Sequence, residues 1–509
     1  MPACTLMVQG TASSVGKSIF VTALCRIFRQ RGIRVAPFKA QNMSLNSFVT
    51  PDGKEIGRAQ AVQAEASGIA PAAEMNPILL KPEGGGRSQI VMLGKPVGTL
   101  KFGDDDDRLS ELRAVVAQSL ARLRENYELI VIEGAGSPVE INLKARDVVN
   151  MHVARLADAP VIMLGDIDRG GVFAQFVGTI ELLEPDERAR VAALAINKFR
   201  GDIGLLQSGL DFIVRRVNTP MLGVIPFIER LRIADEDAVA IEERRYRTDA
   251  SSAELRIAIV RYPRISNFDD FQPLEHEPGV DVRFVDAPHE LANADLVILP
   301  GSKSTVADLE WLRQSGIDRV VLERARRGDP ILGVCGGYQM LGKSIEDPDG
   351  VESPRPSTPG LGLLPVCTRF ARDKLTAQVR ARVNQDCFVA HASSEELSAY
   401  EIHMGRAEPI GDSAAPFEIL SRNRQAESAF DGAISENRAV VGTSLHGLFE
   451  NDWLRASMLR SLRGRRDLAD PVVAAPPFSR ENEYDRLAAI VRENIDLGLL
   501  ERLARFALS

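Results

Sequence analysis

The sequence is poor in the features that mark disulfide-stabilised, fibrous and membrane proteins. Its five cysteines are odd in number and widely scattered, which excludes a disulfide framework and a zinc-binding pattern. The sequence contains no run of about 18 uncharged apolar residues, which is roughly the length needed to cross a bilayer. Glycine (40) and proline (28) are too few among 509 residues for a collagen-like or low-complexity chain. The first residues lead directly into an apolar strand without a basic region, so we expect no signal peptide and a cytoplasmic location.

The charge balance and the length of the chain restrict further the class of protein to which it can belong. A net charge of -8 argues against a nucleic-acid-binding protein. The hydrophobic fraction of 45% and the charged fraction of 26% are typical of globular proteins. At roughly 150 residues per domain the chain has room for about three domains. We therefore expect a multidomain enzyme that acts on small molecules, with neither nucleic acid nor membrane as a partner, and we leave self-association open.

The first 230 residues alternate short apolar runs with amphipathic helical patterns. Most of the apolar runs lack the in–out alternation of a half-exposed strand, which indicates strands that are buried on both faces. Strands of this kind alternating with helices predict a parallel α/β sheet. The predicted strands are Thr5–Gln9, Ile33–Phe38, Leu129–Glu133, Pro160–Gly165, Val191–Asn197 and Met221–Ile225.

A polar stretch at 234–254 predicts a linker, and a second strand-rich region follows it. The segment Glu346–Gly360 carries four prolines and predicts a loop. Near the end, apolar residues at helical spacing predict a helix that packs on the body. We therefore divide the chain into domains at 1–233 and 255–450, with a helical C-terminal extension at 451–509. The strands predicted after the linker are Leu255–Arg261, Val280–Val285, Asp295–Pro300, Pro330–Val334, Leu361–Phe370, Ala399–Met404 and Ala439–Ser444.

Residues 10–18, Gly-Thr-Ala-Ser-Ser-Val-Gly-Lys-Ser, lie between the first predicted strand and the first predicted helix. This context is typical of a P-loop, whose backbone amides and helix N-terminus bind phosphates. We expect Thr11 and Gly16 to shape the loop, Lys17 to reach the β- and γ-phosphates of ATP, and the Ser18 hydroxyl to bind Mg²⁺. Thr11 occupies the place of the usual first glycine, and the alternative is an ordinary glycine-rich turn.

Glu133 ends a buried strand and precedes Gly-Ala-Gly. Ligands of parallel α/β sheets bind at the carboxyl ends of the strands, so this carboxylate is a candidate Mg²⁺ ligand. The alternative is an acid that caps a helix N-terminus. Together with the loop at 10–18, the Glu-Gly-Ala-Gly segment resembles the dethiobiotin synthetase group of P-loop enzymes. The resemblance implies that Lys39 is a second active-site lysine and that Asn197 meets the adenine.

Cys335 lies in Gly-Val-Cys-Gly-Gly, at a predicted strand-to-helix junction. Flanking glycines permit a sharp turn that presents the sulfur, as in a nucleophile elbow, and the helix N-terminus lowers the thiol pKa. His446, which follows an apolar strand, is the candidate general base. Gly301 and the amide of Gly336 are the candidate oxyanion-hole donors. The alternatives are a buried core thiol and a structural histidine.

These segments resemble the class I glutamine amidotransferases, which release ammonia from glutamine through a cysteine thioester. The resemblance places a glutamate two residues after the catalytic histidine, where this chain has Leu448. Three alternatives remain open: a Cys–His dyad, another carboxylate such as Glu450 or Glu401, or an inactive scaffold domain. His403 is a further candidate for the wall of the glutamine pocket. The predicted fold class is therefore α/β, with a parallel-sheet P-loop NTPase domain followed by an α/β class I amidotransferase domain and a helical tail.

Further segments resemble the glutamine-hydrolysing cobyric acid synthase family of cobalamin biosynthesis, among them Lys39–Asn46, Gly57–Gln60 and Asn197–Asp202. The resemblance implies that ATP and Mg²⁺ activate four corrinoid carboxylates (b, d, e and g) as acyl phosphates and that ammonia from glutamine converts them to amides. Cobyrinic acid a,c-diamide synthase and a ParA/MinD-like ATPase switch are the rival interpretations. Candidate substrate-binding residues are Lys81, Asp166, Asp168 and Arg169.

Overall fold

The computed structural model describes residues 3–84, 86–101, 106–229, 231–233, 253–391, 393–469 and 479–505. The predicted linker at 234–254 lies outside the described residues except for its last two positions. Within the described ranges, no helix has both the length and the apolar character needed to cross a membrane. The domain boundaries given above remain a prediction.

The first half contains a sheet of six parallel strands, as the apolar runs predict. All its strands are largely buried because helices cover both faces, which explains why their sequences do not alternate. The first strand of the chain lies in the middle, and the strand order reverses around it. In such sheets the ligand cleft opens at that reversal, beyond the carboxyl ends of the strands. In spatial order the strands are Met221–Pro226, Val191–Phe199, Val161–Asp166, Cys4–Gly10, Leu129–Glu133 and Val35–Phe38.

A largely antiparallel insertion follows the edge strand of this sheet, and the sequence patterns did not reveal it. It contains a two-stranded hairpin, Ser47–Val49 with Glu55–Gly57, which leads into the helix Arg58–Ser67. Its strands are short and mix apolar with buried polar residues, so neither the helical nor the strand periodicity is clear. A four-stranded sheet completes the insertion, with strands Gln41–Met43, Ile78–Gly84, Arg87–Met92 and Lys95–Lys101.

The second half is built on another six-stranded sheet, parallel except for one edge strand. The four strands predicted between Leu255 and Val334 occur within one residue of their expected bounds. Gly301–Ser302 pairs with Ile265–Ser266 in a small ribbon above the sheet. In spatial order the main strands are Val280–Val285, Leu255–Val260, Leu296–Leu299, Ile331–Val334, Val440–Thr443 and Ala433–Ile434.

A further sheet corrects the prediction of one long loop at Glu346–Gly360. That segment contains the edge strand Ser357–Pro359, which pairs with Ser344–Glu346. Proline is tolerated there because an edge strand leaves one side of its backbone unpaired. The two short strands predicted nearby belong to one long hairpin. The remaining strands of this sheet are Val366–Val383, Leu397–Pro409, Phe417–Arg422 and Gln425–Asp431.

The C-terminal helices divide between the two halves. Asp452–Arg465 buries Leu454 and Met458 in the core of the second half. Arg480–Glu493 instead buries Leu487 and Val491 in the core of the first half, which also contains the first helix of the chain. The end of the chain therefore returns to the first half. The other helices, the short 3₁₀ turns included, are Lys17–Gln30, Arg58–Ser67, Ala73–Met75, Asp106–Asn126, Lys144–Arg146, Met151–Ala157, Val172–Leu182, Pro185–Arg188, Ile203–Val217, Phe268–Phe271, Gln272–Glu275, Pro288–Leu291, Thr305–Gln314, Ile317–Arg327, Gly336–Leu341, Leu448–Glu450 and Leu497–Ala504.

Two candidate active sites

The loop at 11–16 joins the central strand Cys4–Gly10 to the helix Lys17–Gln30, as the motif predicts. Gly16 has φ of +99°, a left-handed conformation that favours glycine. Lys17 Nζ donates to the carbonyl oxygens of Ala12 and Gly136, at 3.1 and 3.2 Å, and so spans the loop. The Thr11 hydroxyl donates to Gln175 Oε1 at 2.9 Å and is thus held by the neighbouring helix. The loop has the position and the cation that a phosphate site needs.

Glu133 is fully buried beside this loop, and three side chains donate to its carboxylate. They are the Ser18 hydroxyl at 2.8 Å, Lys39 Nζ at 2.9 Å and Gln63 Nε2 at 2.6 Å. The predicted pair Ser18 and Glu133 is therefore in direct contact, and Lys39 joins it. A hydroxyl and a carboxylate next to a phosphate loop are oxygen donors that suit Mg²⁺. No cluster of three or more His, Cys, Asp or Glu side chains suited to a metal occurs among the described residues.

Gln63 was missed by the sequence reasoning. It lies on the helix Arg58–Ser67 of the insertion, and its amide also donates to the Ser18 carbonyl at 3.4 Å. Its only sequence signal was its closeness to the segment Gly57–Gln60, to which no role had been given.

Asn197 and the two aspartates Asp166 and Asp168 lie near the P-loop, on strands or turns at the same edge of the sheet. Asn197 Nδ2 donates to the Val15 carbonyl at 2.9 Å and thus touches the outer face of the P-loop. Asp166 forms an ion pair with Lys198 at 2.8 Å, and Lys198 also donates to the Ser14 carbonyl at 2.8 Å. Asp168 pairs with Arg200 at 2.9 Å, while Arg169 is largely exposed. Of the four predicted substrate-binding residues, Asp166, Asp168 and Arg169 therefore lie at the same sheet edge as the P-loop.

Lys81 lies elsewhere, in the wall of the cavity that contains Cys335. It is buried, with Nζ 2.6 Å from Glu55 Oε1 and 2.8 Å from the Ser47 hydroxyl. Lys374, from the second half, pairs with the same glutamate. Burial, only partly offset by Glu55, lowers the pKa of Lys81 to about 8. The structure therefore does not group Lys81 with the other three candidate substrate-binding residues.

Cys335 occupies a strained turn between the strand Ile331–Val334 and the helix Gly336–Leu341. Its φ of +49° and ψ of -107° lie outside the regions that non-glycine residues favour. A Cβ atom on Gly337 would lie 1.9 Å from the carbonyl oxygen of Leu299, so only glycine permits this close approach. The predicted nucleophile elbow is therefore present in the geometry.

His446 meets both the predicted nucleophile and a carboxylate that the sequence did not reveal. Asp270 Oδ2 lies 2.5 Å from His446 Nδ1, and Asp270 Oδ1 accepts from the Gly447 amide at 3.1 Å. The Tyr400 hydroxyl donates to the same oxygen at 3.0 Å, and its ring stacks on the imidazole with centroids 5.1 Å apart. Asp270 thus fixes the imidazole in the orientation that leaves Nε2 for the thiol.

The electrostatics of this group favour a thiolate–imidazolium pair. Burial alone raises the pKa of the Cys335 thiol, but the charge of His446, a hydrogen bond with it and the charge of His403 outweigh burial and lower that pKa. Burial alone lowers the pKa of His446, but Asp270 and Cys335 outweigh it and raise the pKa to about 10. A thiolate is the reactive form of cysteine, and the lowered pKa favours this form at Cys335.

The carboxylates considered at Glu450 and Glu401 do not take the place of Asp270. Glu401 pairs with Arg422, and Glu450 faces Arg480 and Arg58. Leu448, at the position of the family glutamate, is buried in the apolar core. Asp270 had no spacing signal because it precedes His446 by 176 residues and lies in a short 3₁₀ turn, Phe268–Phe271.

The two candidate oxyanion-hole glycines lie next to the nucleophile and its base. A Cβ atom on Gly301 would be 3.1 Å from His446 Cε1, and one on Gly336 would be 2.8 Å from the Ser302 amide nitrogen. The Gly336 amide hydrogen-bonds the Cys335 sulfur and contributes to its lowered pKa. Their role as oxyanion donors stays a prediction.

Cys335 opens into a cavity of about 820 Å³ whose walls come from both halves of the chain. His403 lines it and is fixed by a 2.8 Å hydrogen bond between Nδ1 and the Gly405 carbonyl. Lys303 of the second half pairs with Glu83 of the insertion across the cavity, at 3.0 Å. Glu352 also lines it, and burial raises the pKa of this carboxyl to about 7. The cavity is amply large for glutamine and offers groups of both charges.

Comparison with known proteins agrees with the two domain types. Residues 6–240 match the CobQ/CobB/MinD/ParA nucleotide binding domain, and residues 256–453 match the CobB/CobQ-like glutamine amidotransferase domain. The fold and the sites thus define a glutamine amidotransferase fused to a P-loop nucleotide-binding domain. The chain is 60% identical to the cobyric acid synthase of Sorangium cellulosum, over 99% of each protein. It is 49% identical to that of Moorella thermoacetica, over 97% of this chain and 96% of the relative. The chain belongs to the cobyric acid synthase family.

Proposed function

We propose that this protein converts adenosylcobyrinic acid a,c-diamide to adenosylcobyric acid by amidating its b, d, e and g carboxylates. The observation that carries the proposal is the presence, in one chain, of the P-loop with Lys39 and Glu133 and of the Cys335–His446–Asp270 group. The first suits transfer of a phosphoryl group, and the second suits release of ammonia. The family membership supports the corrinoid as the substrate.

In the first step a substrate carboxylate attacks the γ-phosphorus of ATP, which forms an acyl phosphate and releases ADP. Lys17 and Lys39 balance the negative charge that gathers on the transferred group. Ser18 and Glu133 would hold Mg²⁺, which neutralises phosphate charge when bound. Because Glu133 already accepts from three donors, the proposal requires Ser18 to turn its hydroxyl from Glu133 toward the cation.

The remaining residues at this sheet edge would bind the rest of the substrates. Asn197 touches the P-loop beside Val15, which supports its proposed contact with the adenine. Asp166, Asp168 and Arg169 lie next to the same loop and would contact the corrinoid. Lys81 is not included, because Glu55 already neutralises it and it faces the cavity of Cys335.

In the second step the Cys335 thiolate attacks the side-chain amide carbon of glutamine. The His446 imidazolium protonates the leaving ammonia, and a γ-glutamyl thioester remains. Water, deprotonated by His446, then hydrolyses the thioester to glutamate and restores the thiol. Gly301 and Gly336 are proposed to stabilise the oxyanion. Ammonia attacks the acyl phosphate and displaces inorganic phosphate, so each amide consumes one ATP and one glutamine.

Two features support further proposals, one about the path of ammonia and one about the location of the protein in the cell. Water would hydrolyse the acyl phosphate, so ammonia must pass between the sites in a protected space, and the shared walls of the cavity support such a path. All five cysteines are free thiols, which supports a cytoplasmic location.

Mass spectrometry of the corrinoid product tests the proposal directly. The purified protein is incubated with the a,c-diamide, ATP, Mg²⁺ and glutamine labelled with ¹⁵N at its side-chain amide. We expect a product with four labelled amides. Cys335→Ala should abolish labelling from glutamine but retain amidation with ammonium salts. Amidation of cobyrinic acid itself at the a and c positions, with no reaction of the a,c-diamide, would contradict the proposal.

A further inference from the structure

The turn that carries Asp270 is held by the other half of the chain. The Phe268 amide donates to Asn46 Oδ1 at 3.2 Å, and Asn267 Nδ2 donates to the Ser47 carbonyl at 3.0 Å. Asn46 and Ser47 belong to the insertion of the nucleotide-binding half. Two consecutive residues before the Asp269–Asp270 pair are therefore fixed by a segment more than 200 residues away in the sequence.

Asp269 adds an ion pair to these contacts. Its carboxylate lies 2.8 Å from Arg58 Nε, and both side chains are buried. Arg58 begins the helix Arg58–Ser67, so it approaches the turn from the insertion. A buried ion pair of this kind fixes geometry strongly, because moving either partner leaves an uncompensated charge.

The neighbouring charges show why this arginine is needed. Asp269 faces Arg58, Asp270, Glu450 and Arg480. Burial and the adjacent Asp270 raise the pKa of Asp269 to about 6, against the opposing effect of Arg58. Without Arg58, two adjacent buried carboxylates would lie against each other, and the turn would have to rearrange to separate or protonate them.

We propose that Arg58, a residue of the nucleotide-binding half, is a positioning residue for glutamine hydrolysis and acts through Asp269 and Asp270 on His446. The proposal rests on the proposed glutaminase activity and adds a requirement to it. The amidotransferase half supplies Cys335, His446 and Asp270, but the turn that carries Asp270 is also held by the half that binds the nucleotide.

The same helix also reaches the nucleotide site. Gln63, five residues after Arg58, donates to Glu133, while Arg58 contacts Asp269. One helix of 10 residues thus contacts the Asp270 turn through its first residue and the nucleotide site through a residue near its middle. This placement makes Arg58 the charged member of the contacts between the synthetase half and the Asp270 turn.

The test compares Arg58→Gln with Arg26→Gln. Arg26 is a matched control because it is equally buried and pairs with Glu481 and Asp485 rather than with the turn that carries Asp270. Glutamate release is measured at temperatures well below the unfolding midpoint of each variant. We expect Arg58→Gln to lower kcat for glutamine about 100-fold, as a misplaced orienting group does, with KM unchanged because Arg58 does not line the cavity. Arg26→Gln should retain the wild-type kcat.

Two further variants separate positioning from general damage. Arg58→Lys keeps a cation beside Asp269 and should recover part of the lost kcat. The double variant Arg58→Gln with Asp269→Asn should have a kcat no lower than that of the slower single variant. Both substitutions remove the same Arg58–Asp269 ion pair, so their effects should not add. Ammonium-dependent amidation provides the reference rate in each protein and should fall much less than glutamate release.

The proposal is overturned if Arg58→Gln releases glutamate at the wild-type kcat, if Arg26→Gln loses as much, or if the loss follows KM. Those outcomes leave the proposed function standing. Glutamate release that survives Cys335→Ala would instead refute the proposed glutaminase chemistry, and with it the role of Arg58. The two failures are therefore distinguishable in one set of assays.

Discussion

In the nucleotide site, Glu133 contacts Ser18 and Lys39, and all three residues lie at the carboxyl ends of strands of one parallel sheet or in the segments that follow these strands. Ser18 is the second residue of the helix after the first strand, and Glu133 ends the strand next to that strand. Lys39 follows the next strand along the sheet. The glutaminase site instead combines the elbow at Cys335 with a histidine 111 residues later and a carboxylate 65 residues earlier in the sequence. The turn that carries this carboxylate is contacted by Arg58 of the other half, through Asp269.

The nucleotide site therefore depends mainly on local backbone geometry, whereas the glutaminase site depends on how distant segments of the chain pack together. A P-loop derives its phosphate affinity from local backbone geometry, so a short motif is sufficient to mark it. The orienting carboxylate of a catalytic group has only to reach one ring nitrogen, and any segment that packs nearby can supply it. Asp270 does so from a turn that packs between the two halves.

The largest effect should come from the nucleotide site. Lys17→Ala removes the cation that spans the P-loop, and we expect both glutamine-dependent and ammonium-dependent amidation to fall by at least about 10³-fold. Glutamate release, measured in the absence of corrinoid, should persist. Equal loss of glutamate release would show that the two sites are not separate.

Asp270→Asn should affect only the glutaminase site. The amide cannot stabilise the imidazolium, so kcat for glutamate release should fall by about 10³-fold, as expected for an orienting carboxylate. Amidation with ammonium salts should stay close to the wild-type rate. Glu450→Gln is the control, since Glu450 faces arginines rather than His446. A normal kcat in Asp270→Asn would show that Cys335 and His446 act as a dyad.

The pH dependence of Cys335 alkylation should separate the thiolate from ordinary thiols. Its pKa is lowered in the folded protein, so the thiolate and its reaction with iodoacetamide persist as the pH falls below the usual thiol range. In His446→Ala the cation is absent while burial remains, so we expect the apparent pKa of Cys335 to rise and its alkylation at low pH to be lost. Peptide mass spectrometry distinguishes Cys335 from the other four cysteines. Coincident profiles for the two proteins would disprove the ion pair.

The smallest effect should come from Tyr400→Phe. The ring still stacks on His446, but Asp270 loses one hydrogen bond, so we expect kcat for glutamate release to fall about tenfold. A KM effect without a kcat effect would place Tyr400 in glutamine binding rather than in the support of Asp270.

Much of the fold followed from patterns in the sequence. The six strands of the first sheet were predicted within about two residues, because strands buried on both faces are continuously apolar. The insertion between Gln41 and Lys101 was not predicted, since its strands are short and partly polar, and Val49 of its hairpin is buried against the second half. The loop predicted at Glu346–Gly360 was wrong for the edge strand Ser357–Pro359.

By itself the sequence determined the groups whose chemistry depends on local backbone shape. The P-loop and the elbow of Cys335 need small residues at fixed spacing, and such spacing can be read along the chain. Only the tertiary structure decided which carboxylate meets His446, where Lys81 faces, and that Arg58 reaches across to the second half. Those contacts depend on how separate segments pack in space, and the order of residues along the chain carries no distance between them.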